Sequence, residues 1–290
     1  MFGDIDAGIK ILTDAGIPLD DARFDIFAFL DELGTDNDAF LEACRKYASG
    51  VPMGYAIGKQ HFYHEVYTVT PATLIPRPDT ELLVETALWC YGALRDWLYT
   101  GAVHAPKREF PRSKNIRVLD LCTGTGCVGI SIFNALKKKY DNVELFLCDI
   151  SDETLEITRK NVQEASIEPQ SVKIFKLDVL EGLIPEEWGT FDIVVSNPPY
   201  INFKEMEELD DSVKNYEPDL ALRGGEDGLI FYEPICKIAK NVLNEGGILA
   251  VEHGYNQKQE VAQTLVNAGF NNVKSLKDYG NNDRVCYGEV

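Results

Sequence analysis

From Asn115 to the last residue, short β-branched apolar runs alternate with amphipathic helical stretches, and that alternation leaves few folds open. Residues 116–121 (Ile-Arg-Val-Leu-Asp-Leu) read as a strand, 128–138 as the helix after it, and 143–148 as the next strand. Asp149 ends that strand. Ser151 predicts an N-cap for the following helix, with Asp152 and Glu153 at its positive end. Residues 172–176 and 191–196 predict two more strands. A helix near 231–243 leads through Gly246-Gly247 into a strand at 248–252. Val261, Leu265 and Val266 mark another helix closed by Gly269, and residues 273–276 and 285–287 supply two last strands. Strands and helices of this size in this order predict an α/β fold, a doubly wound, Rossmann-like, mostly parallel sheet.

The first fifty residues follow a different pattern. Ile5, Ile9 and Leu12 recur at helical spacing until Gly16-Ile17-Pro18 breaks them. Asp20 or Asp21 is expected to cap a second helix carrying Phe24, Phe27, Ala28 and Leu30, ended by Gly34, and a third spans 38–47. Helices this short must pack together to persist. Residues 61–69 turn aromatic and β-branched, as a hairpin or extended connector does. Pro71, Pro76 and Pro78 then stiffen a linker before a helix expected from Thr80 to about Trp97, and 99–115 reads as an exposed insertion. The expected organisation is a helical bundle over 1–60, a hairpin and linker over 61–79, and the α/β domain over 80–290.

Composition narrows the function. With 45% hydrophobic residues in 290, the chain can bury sizeable cores. Its formal net charge of −19 counts against wrapping nucleic acid, which needs a basic face. The first ten residues lack the basic and apolar regions of a signal peptide, and no apolar run approaches the roughly 18 residues of a membrane span. Seven scattered cysteines without a CxxC pair read as reduced thiols, so a cytoplasmic protein is expected. Four histidines show no metal-ligand spacing, so no metal is expected. Nothing marks an obligate interface, and a monomer is expected.

Chemistry concentrates at two strand ends. The first is Asp120 to Gly129, containing Cys122-Thr123-Gly124-Thr125-Gly126. Its glycines allow a tight turn and close approach to a ligand, and the helix that follows offers free N–H groups. Asp149, at the end of the next strand, suits a pair of ribose hydroxyls, and ligands of such sheets sit beyond the carboxyl ends of the strands. Gly124-x-Gly126-x-x-Gly129 also fits a dinucleotide fingerprint, so this loop alone serves a nicotinamide dinucleotide and S-adenosylmethionine equally. A plain structural reading, glycines for close strand–helix packing, stands beside both.

The second is Asn197-Pro198-Pro199-Tyr200, directly after the strand at 191–196. Consecutive prolines fix φ and remove two donors, leaving carbonyls free to accept. The Asn197 side-chain oxygen and the Pro198 carbonyl can take the two N–H bonds of an amide or amino group, with Tyr200 stacked on the planar group. An amide nitrogen is a poor nucleophile, because its lone pair is delocalised. Acceptors on both hydrogens favour pyramidalisation toward a methyl donor and stabilise positive charge developing on nitrogen. Asn and Pro are also ordinary turn residues, but a dehydrogenase has no use for this set. The motif tips the cofactor to S-adenosylmethionine.

With these motifs the chain resembles the HemK/PrmC family, which methylates the glutamine of the Gly-Gly-Gln motif in peptide chain release factors. The resemblance covers most of the chain. It includes Pro71-Ala72-Thr73-Leu74-Ile75-Pro76-Arg77-Pro78-Asp79-Thr80-Glu81, Tyr216-Glu217-Pro218 with 222–228, Glu252-His253-Gly254, and Asp278-Tyr279-Gly280 with Arg284-Val285. It implies an N-terminal helical domain that grips the release factor. It also implies a cofactor site at Cys122, Thr123, Gly124, Thr125, Gly126, Asp149, Asp178, Val179 and Asn197. The catalytic residues would be Asn197, Pro198 and Tyr200, and Pro199 and Arg77 would join them in binding substrate. Arg77 and Glu81 also have a plain reading as an ion pair one helical turn apart. Cys122 stands where the loop's first glycine is usual, and Val179 where some relatives have an aromatic. A nucleic-acid adenine or guanine methyltransferase is the alternative, since similar motifs serve exocyclic amino groups of flipped bases.

Overall fold

The computed structural model describes residues 2–34, 37–94 and 114–290. Four helices open the chain: α1 (Phe2–Asp14), α2 (Leu19–Leu33), α3 (Asn37–Ala48) and α4 (Met53–Ile57). Leu12, Ala22, Ile26, Phe29, Phe40 and Cys44 form their common core. Neither Asp20 nor Asp21 caps α2; Pro18 holds that position with no side-chain hydrogen bond, and both acids lie in the first turn. The buried face of α2 is Ala22, Ile26 and Phe29, whereas Phe24 and Phe27 are 77% and 70% exposed. Spacing of three and four selects that stripe and turns the other two rings outward.

A hairpin follows, β1 (Lys59–Phe62) against β2 (Glu65–Thr68). His61 ties it back to α2 through Glu32, beside Asp31. Helix α5 (Glu81–Cys90) is shorter than the expected 80–97. Gly92 adopts φ +81, its N–H returns to the Trp89 carbonyl, and Ala93 N–H bonds to the Leu88 carbonyl. This left-handed C-terminal motif ends the helix before the apolar pattern does. The insertion expected at 99–115 lies outside the described residues up to 113, and Asn115 already belongs to the sheet.

The remaining elements in order are β3 (Asn115–Leu121), α6 (Cys127–Lys137), β4 (Asn142–Asp149), α7 (Asp152–Glu164), β5 (Val172–Lys176), β6 (Phe191–Ser196), α8 (Phe203–Glu208), α9 (Asp211–Lys214), α10 (Asp219–Leu222), α11 (Tyr232–Val242), β7 (Leu243–Glu252), α12 (Lys258–Asn267), β8 (Asn271–Lys277) and β9 (Asp283–Glu289). Ser151 caps α7, its side chain accepting from Thr154 N. Among the described residues, seven strands form one sheet in the order β5-β4-β3-β6-β7-β9-β8. The first five are parallel; β9 runs antiparallel between β7 and β8. Both faces are covered, as a parallel sheet requires. Ile116 and Val118 of β3 face the core shared with α5 and α6, and Leu119 and Leu121 the core shared with α11 and α12. The order reverses at β3, so a crevice opens beyond the carboxyl ends of β3, β4 and β6. No described helix is long and apolar enough to cross a membrane.

Candidate active site

That crevice holds a cavity of about 340 Å³ lined by the loops after β3, β4, β5 and β6 and by the proline-rich linker. The β3 loop is held by its carbonyls. Thr158 Oγ1 donates to Gly124 O at 2.7 Å, Asn161 Nδ2 donates to Thr125 O at 2.8 Å, and Asn161 also pairs with both backbone groups of Thr68 in the hairpin. Gly124 faces open space, with nothing within 4 Å of where a Cβ would stand. Gly129 has the packing role instead: a Cβ there would come within 2.6 Å of Leu147 and 3.0 Å of Asp120. Cys122 adopts φ +58, the left-handed region that explains the usual glycine.

Three carboxylates surround the loop. Asp120 is buried and accepts from Thr123 Oγ1 at 2.6 Å and Gly129 N at 3.0 Å; burial still pushes its carboxyl up to about 7. Asp149 accepts Gly124 N on Oδ2 and Ser151 N on Oδ1, at 3.0 and 3.1 Å. Burial raises it as well, against those backbone donors. Each oxygen keeps a lone pair for a further donor. Asp178 caps a short turn by accepting Leu180 N at 2.9 Å, which sets the buried Val179 against the cavity. The set fits S-adenosylmethionine: a carboxylate with spare acceptors for ribose, a bare glycine, an acid for a cation, and apolar Ile150, Val179 and Leu180 for the base.

Asn197 and Pro199 line the same cavity. Asn197 donates through Nδ2 to Thr80 Oγ1 at 3.3 Å, leaving Oδ1 as the free acceptor of its amide. Pro198 is buried, and neither it nor Gly126 nor Tyr200 lines the cavity. The Tyr200 hydroxyl instead donates to Glu252 at 3.1 Å, so the ring expected to stack on substrate is anchored behind the loop. Burial and the Glu252 charge push that hydroxyl above its usual range. Arg77 lines the cavity, but the ion pair with Glu81 does not form. Arg77 pairs with the buried Glu217, and Glu81 accepts Tyr63 N at 2.8 Å. The Pro78–Thr80 turn rotates Arg77 away from α5, which is why helical spacing misleads there. Sequence reasoning missed Thr80, Ile150, Leu180 and Phe231 as lining residues. Only the block at 71–81 signalled one of them.

Fold and site together define an S-adenosylmethionine-dependent methyltransferase. A family model described as a methyltransferase small domain matches residues 107–214. A protein named release factor glutamine methyltransferase in Clostridium acetobutylicum is 40% identical over 236 residues, covering 81% of this chain and 74% of that one. One of the same name in Escherichia coli is 33% identical over 258 residues, covering 89% and 81%. The chain belongs to the release factor glutamine methyltransferase family.

Proposed function

We propose that the protein transfers a methyl group from S-adenosylmethionine to the side-chain amide nitrogen of the glutamine in the Gly-Gly-Gln motif of peptide chain release factors. The observation that carries this reading is Asn197, whose Oδ1 is left free because Nδ2 is engaged by Thr80, in the cavity that also holds Gly124 and Asp149. The bound cofactor supplies an electrophilic methyl on a sulfonium. The chain's own residues do the rest. Asn197 Oδ1 accepts one N–H bond of the glutamine amide, and the carbonyl of Pro198, next to the lining residues Asn197 and Pro199 though outside the cavity lining itself, is assigned the other; together they orient the nitrogen and stabilise the charge that develops there. Asp149 takes the ribose hydroxyls, Cys122 to Gly126 form the loop around the methionine part, and Asp178 with Val179 flank the base. Pro199, Arg77 and Tyr200 shape the acceptor side, Tyr200 through its hydrogen bond to Glu252.

The reading extends to a monomer that works in the cytoplasm, touches the release factor with its N-terminal helices and binds no nucleic acid directly. The net charge of −19 supports the last point. Domains at 1–60, 61–79 and 80–290 remain the proposed division. No observation favours a nucleic-acid base as acceptor. Incubation with labelled methyl donor and either release factor, DNA or RNA tests the reading. Label on the release factor glutamine is expected, and label on nucleic acid alone overturns it.

A further inference from the structure

Gln257 stands at the N-cap of α12, 5% exposed and outside the cavity lining, yet its side chain makes no cap for that helix. A side chain serving the helix alone would set an oxygen over the first N–H groups, as Asn, Asp or Ser do. The Gln257 amide turns back instead to the loop that carries Asn197. Its Nε2 donates to Tyr200 O at 2.9 Å and to Gly228 O at 3.3 Å, and its Oε1 accepts from Gly254 N at 2.9 Å.

All three partners are backbone groups, so they decide which way round the amide stands. A backbone N–H only donates and a carbonyl only accepts. Reversal would set the amide NH2 against the Gly254 N–H and its oxygen against two carbonyls. The seat is close-fitting: a Cβ at Gly228 would come within 2.4 Å of both Gln257 Nε2 and Tyr200 O, and one at Gly224 within 2.7 Å of Tyr200 Cα. Tyr200 is held a second time by its hydroxyl, which bonds to Glu252 at the end of β7 at 3.1 Å. Only Pro198 and Pro199 separate Tyr200 from Asn197. Their rings fix φ, so a shift of the Tyr200 carbonyl is passed on to Asn197 with little slack.

We propose that Gln257 is a positioning residue for methyl transfer: its side-chain amide fixes the carbonyl of Tyr200, and through the two prolines it fixes where Asn197 stands in the cavity. This rests on the reading of Asn197 as the ligand of the glutamine amide. Gln257→Glu keeps the shape and changes the donor. A protonated carboxyl still gives Tyr200 O one hydrogen bond while its other oxygen accepts from Gly254 N. An ionised one has no proton to give and sets a charge against two carbonyls. The variant loop is therefore held at low pH and released as pH rises, with burial placing the new carboxyl above the ordinary glutamate range. The wild-type amide does not titrate. The titratable neighbours are the same in both proteins: Tyr232, whose hydroxyl lies 3.5 Å from Oε1, and Glu252 and His253 of the segment before it. Dividing variant by wild type at each pH removes their contribution.

The test uses the full-length protein, S-adenosylmethionine and a release factor from about pH 6 to about pH 9. Wild-type turnover and cofactor Kd are read first, so a wild type that binds cofactor but labels no release factor overturns the substrate reading and not this one. The kcat of Gln257→Glu relative to wild type is expected to fall about tenfold or more across that range, with cofactor Kd within about twofold throughout. Gln257→Met, of similar length but without the hydrogen bonds, is expected to lose about tenfold or more in kcat at every pH, again with cofactor Kd within about twofold. A residue that served folding alone would lower the melting temperature of both variants and leave the kcat of the folded protein unchanged. A Gln257→Glu ratio that stays within about twofold over the range, or a Gln257→Met kcat within about twofold of wild type, overturns the proposal. Should Gln257→Glu fail to fold, Gln257→Met carries the test on the same criterion.

Discussion

Asp120 is the residue whose replacement reports most directly on the electrostatics of the cofactor loop. It is 1% exposed, hydrogen-bonded by Thr123 and Gly129, and raised from 3.8 to about 7, chiefly by burial. Each tenfold step in proton affinity is about 1.4 kcal/mol, so ionising Asp120 costs the native state about 4 kcal/mol relative to the unfolded chain. The sign follows from which state holds the proton. Below pH 3.8 both states are protonated and nothing is lost. Between 3.8 and about 7 the unfolded chain ionises while the native one does not, so stability falls as pH rises, and it levels off above 7. Asp120→Asn removes this dependence. Its stability relative to wild type is therefore expected to rise by about 3 kcal/mol between pH 5 and pH 8, measured by urea unfolding of both proteins at each pH. Any fixed cost of the new amide is the same at every pH and cancels from that comparison. Adding the cationic cofactor favours the wild-type carboxylate and shrinks the difference at pH 8. A wild-type-to-variant gap that stays flat, within about 0.5 kcal/mol from pH 5 to 8, refutes the reasoning.

Three other substitutions probe the rest of the site. Asn197→Ala is expected to lower methyl transfer at least about a hundredfold while calorimetry shows cofactor affinity within about twofold, since in the proposed reading the side chain, hydrogen-bonded to Thr80, serves the acceptor. Gly224→Ala places a Cβ 2.7 Å from Tyr200 Cα and 2.8 Å from Gly228 Cα, backbone that must shift. Thermal unfolding should show a loss of about 1–3 kcal/mol, with kcat reduced further because the acceptor loop moves. Arg77→Ala strands the buried Glu217 and is expected to cost about 2 kcal/mol in chemical unfolding. Adding Glu217→Gln should recover part of it, and a double variant no more stable than Arg77→Ala would show that the stranded Glu217 charge is not the cause of the loss.

What the sequence made legible is what local pattern encodes. The strands from β3 to β9 fall within two residues of the expected runs, because each is a short apolar segment between turn residues, except β7, which begins at Leu243 and runs through the Gly246-Gly247 pair expected to precede it. Ser151 caps α7 as its neighbours imply. The departure at Cys122 gains a physical meaning only from φ +58, which no single-residue pattern shows. The misses are of two kinds. Helix α5 stops early at a left-handed glycine inside an otherwise helical stretch, and Phe24 and Phe27 belong to a stripe two positions off the buried one. The others are long-range: Arg77 finds Glu217 140 residues away, and Tyr200 finds Glu252 52 residues on. Spacing along the chain carries no information about such partners.

Those long-range ties explain how a strand-end loop can do chemistry on so poor a nucleophile. Loops at such positions are ordinarily the mobile part of a fold. Here Ser196 Oγ donates to Leu121 O at 2.7 Å and joins the start of the acceptor loop to the start of the cofactor loop. Gln257 Nε2 holds Tyr200 O at 2.9 Å, while Ile201 N and O pair with Leu222 O and Gly224 N at 3.0 and 2.9 Å. Thr80 holds Asn197 itself. The loop is thus clamped at both ends and at Asn197, by segments drawn from across the chain. With an amide nitrogen the rate depends on placing the lone pair in line with the methyl, and a misplacement of about 1 Å costs on the order of a hundredfold. Substitutions at Gln257 and Gly224, which do not line the cavity, are therefore expected to lower kcat as those at the lining residues do.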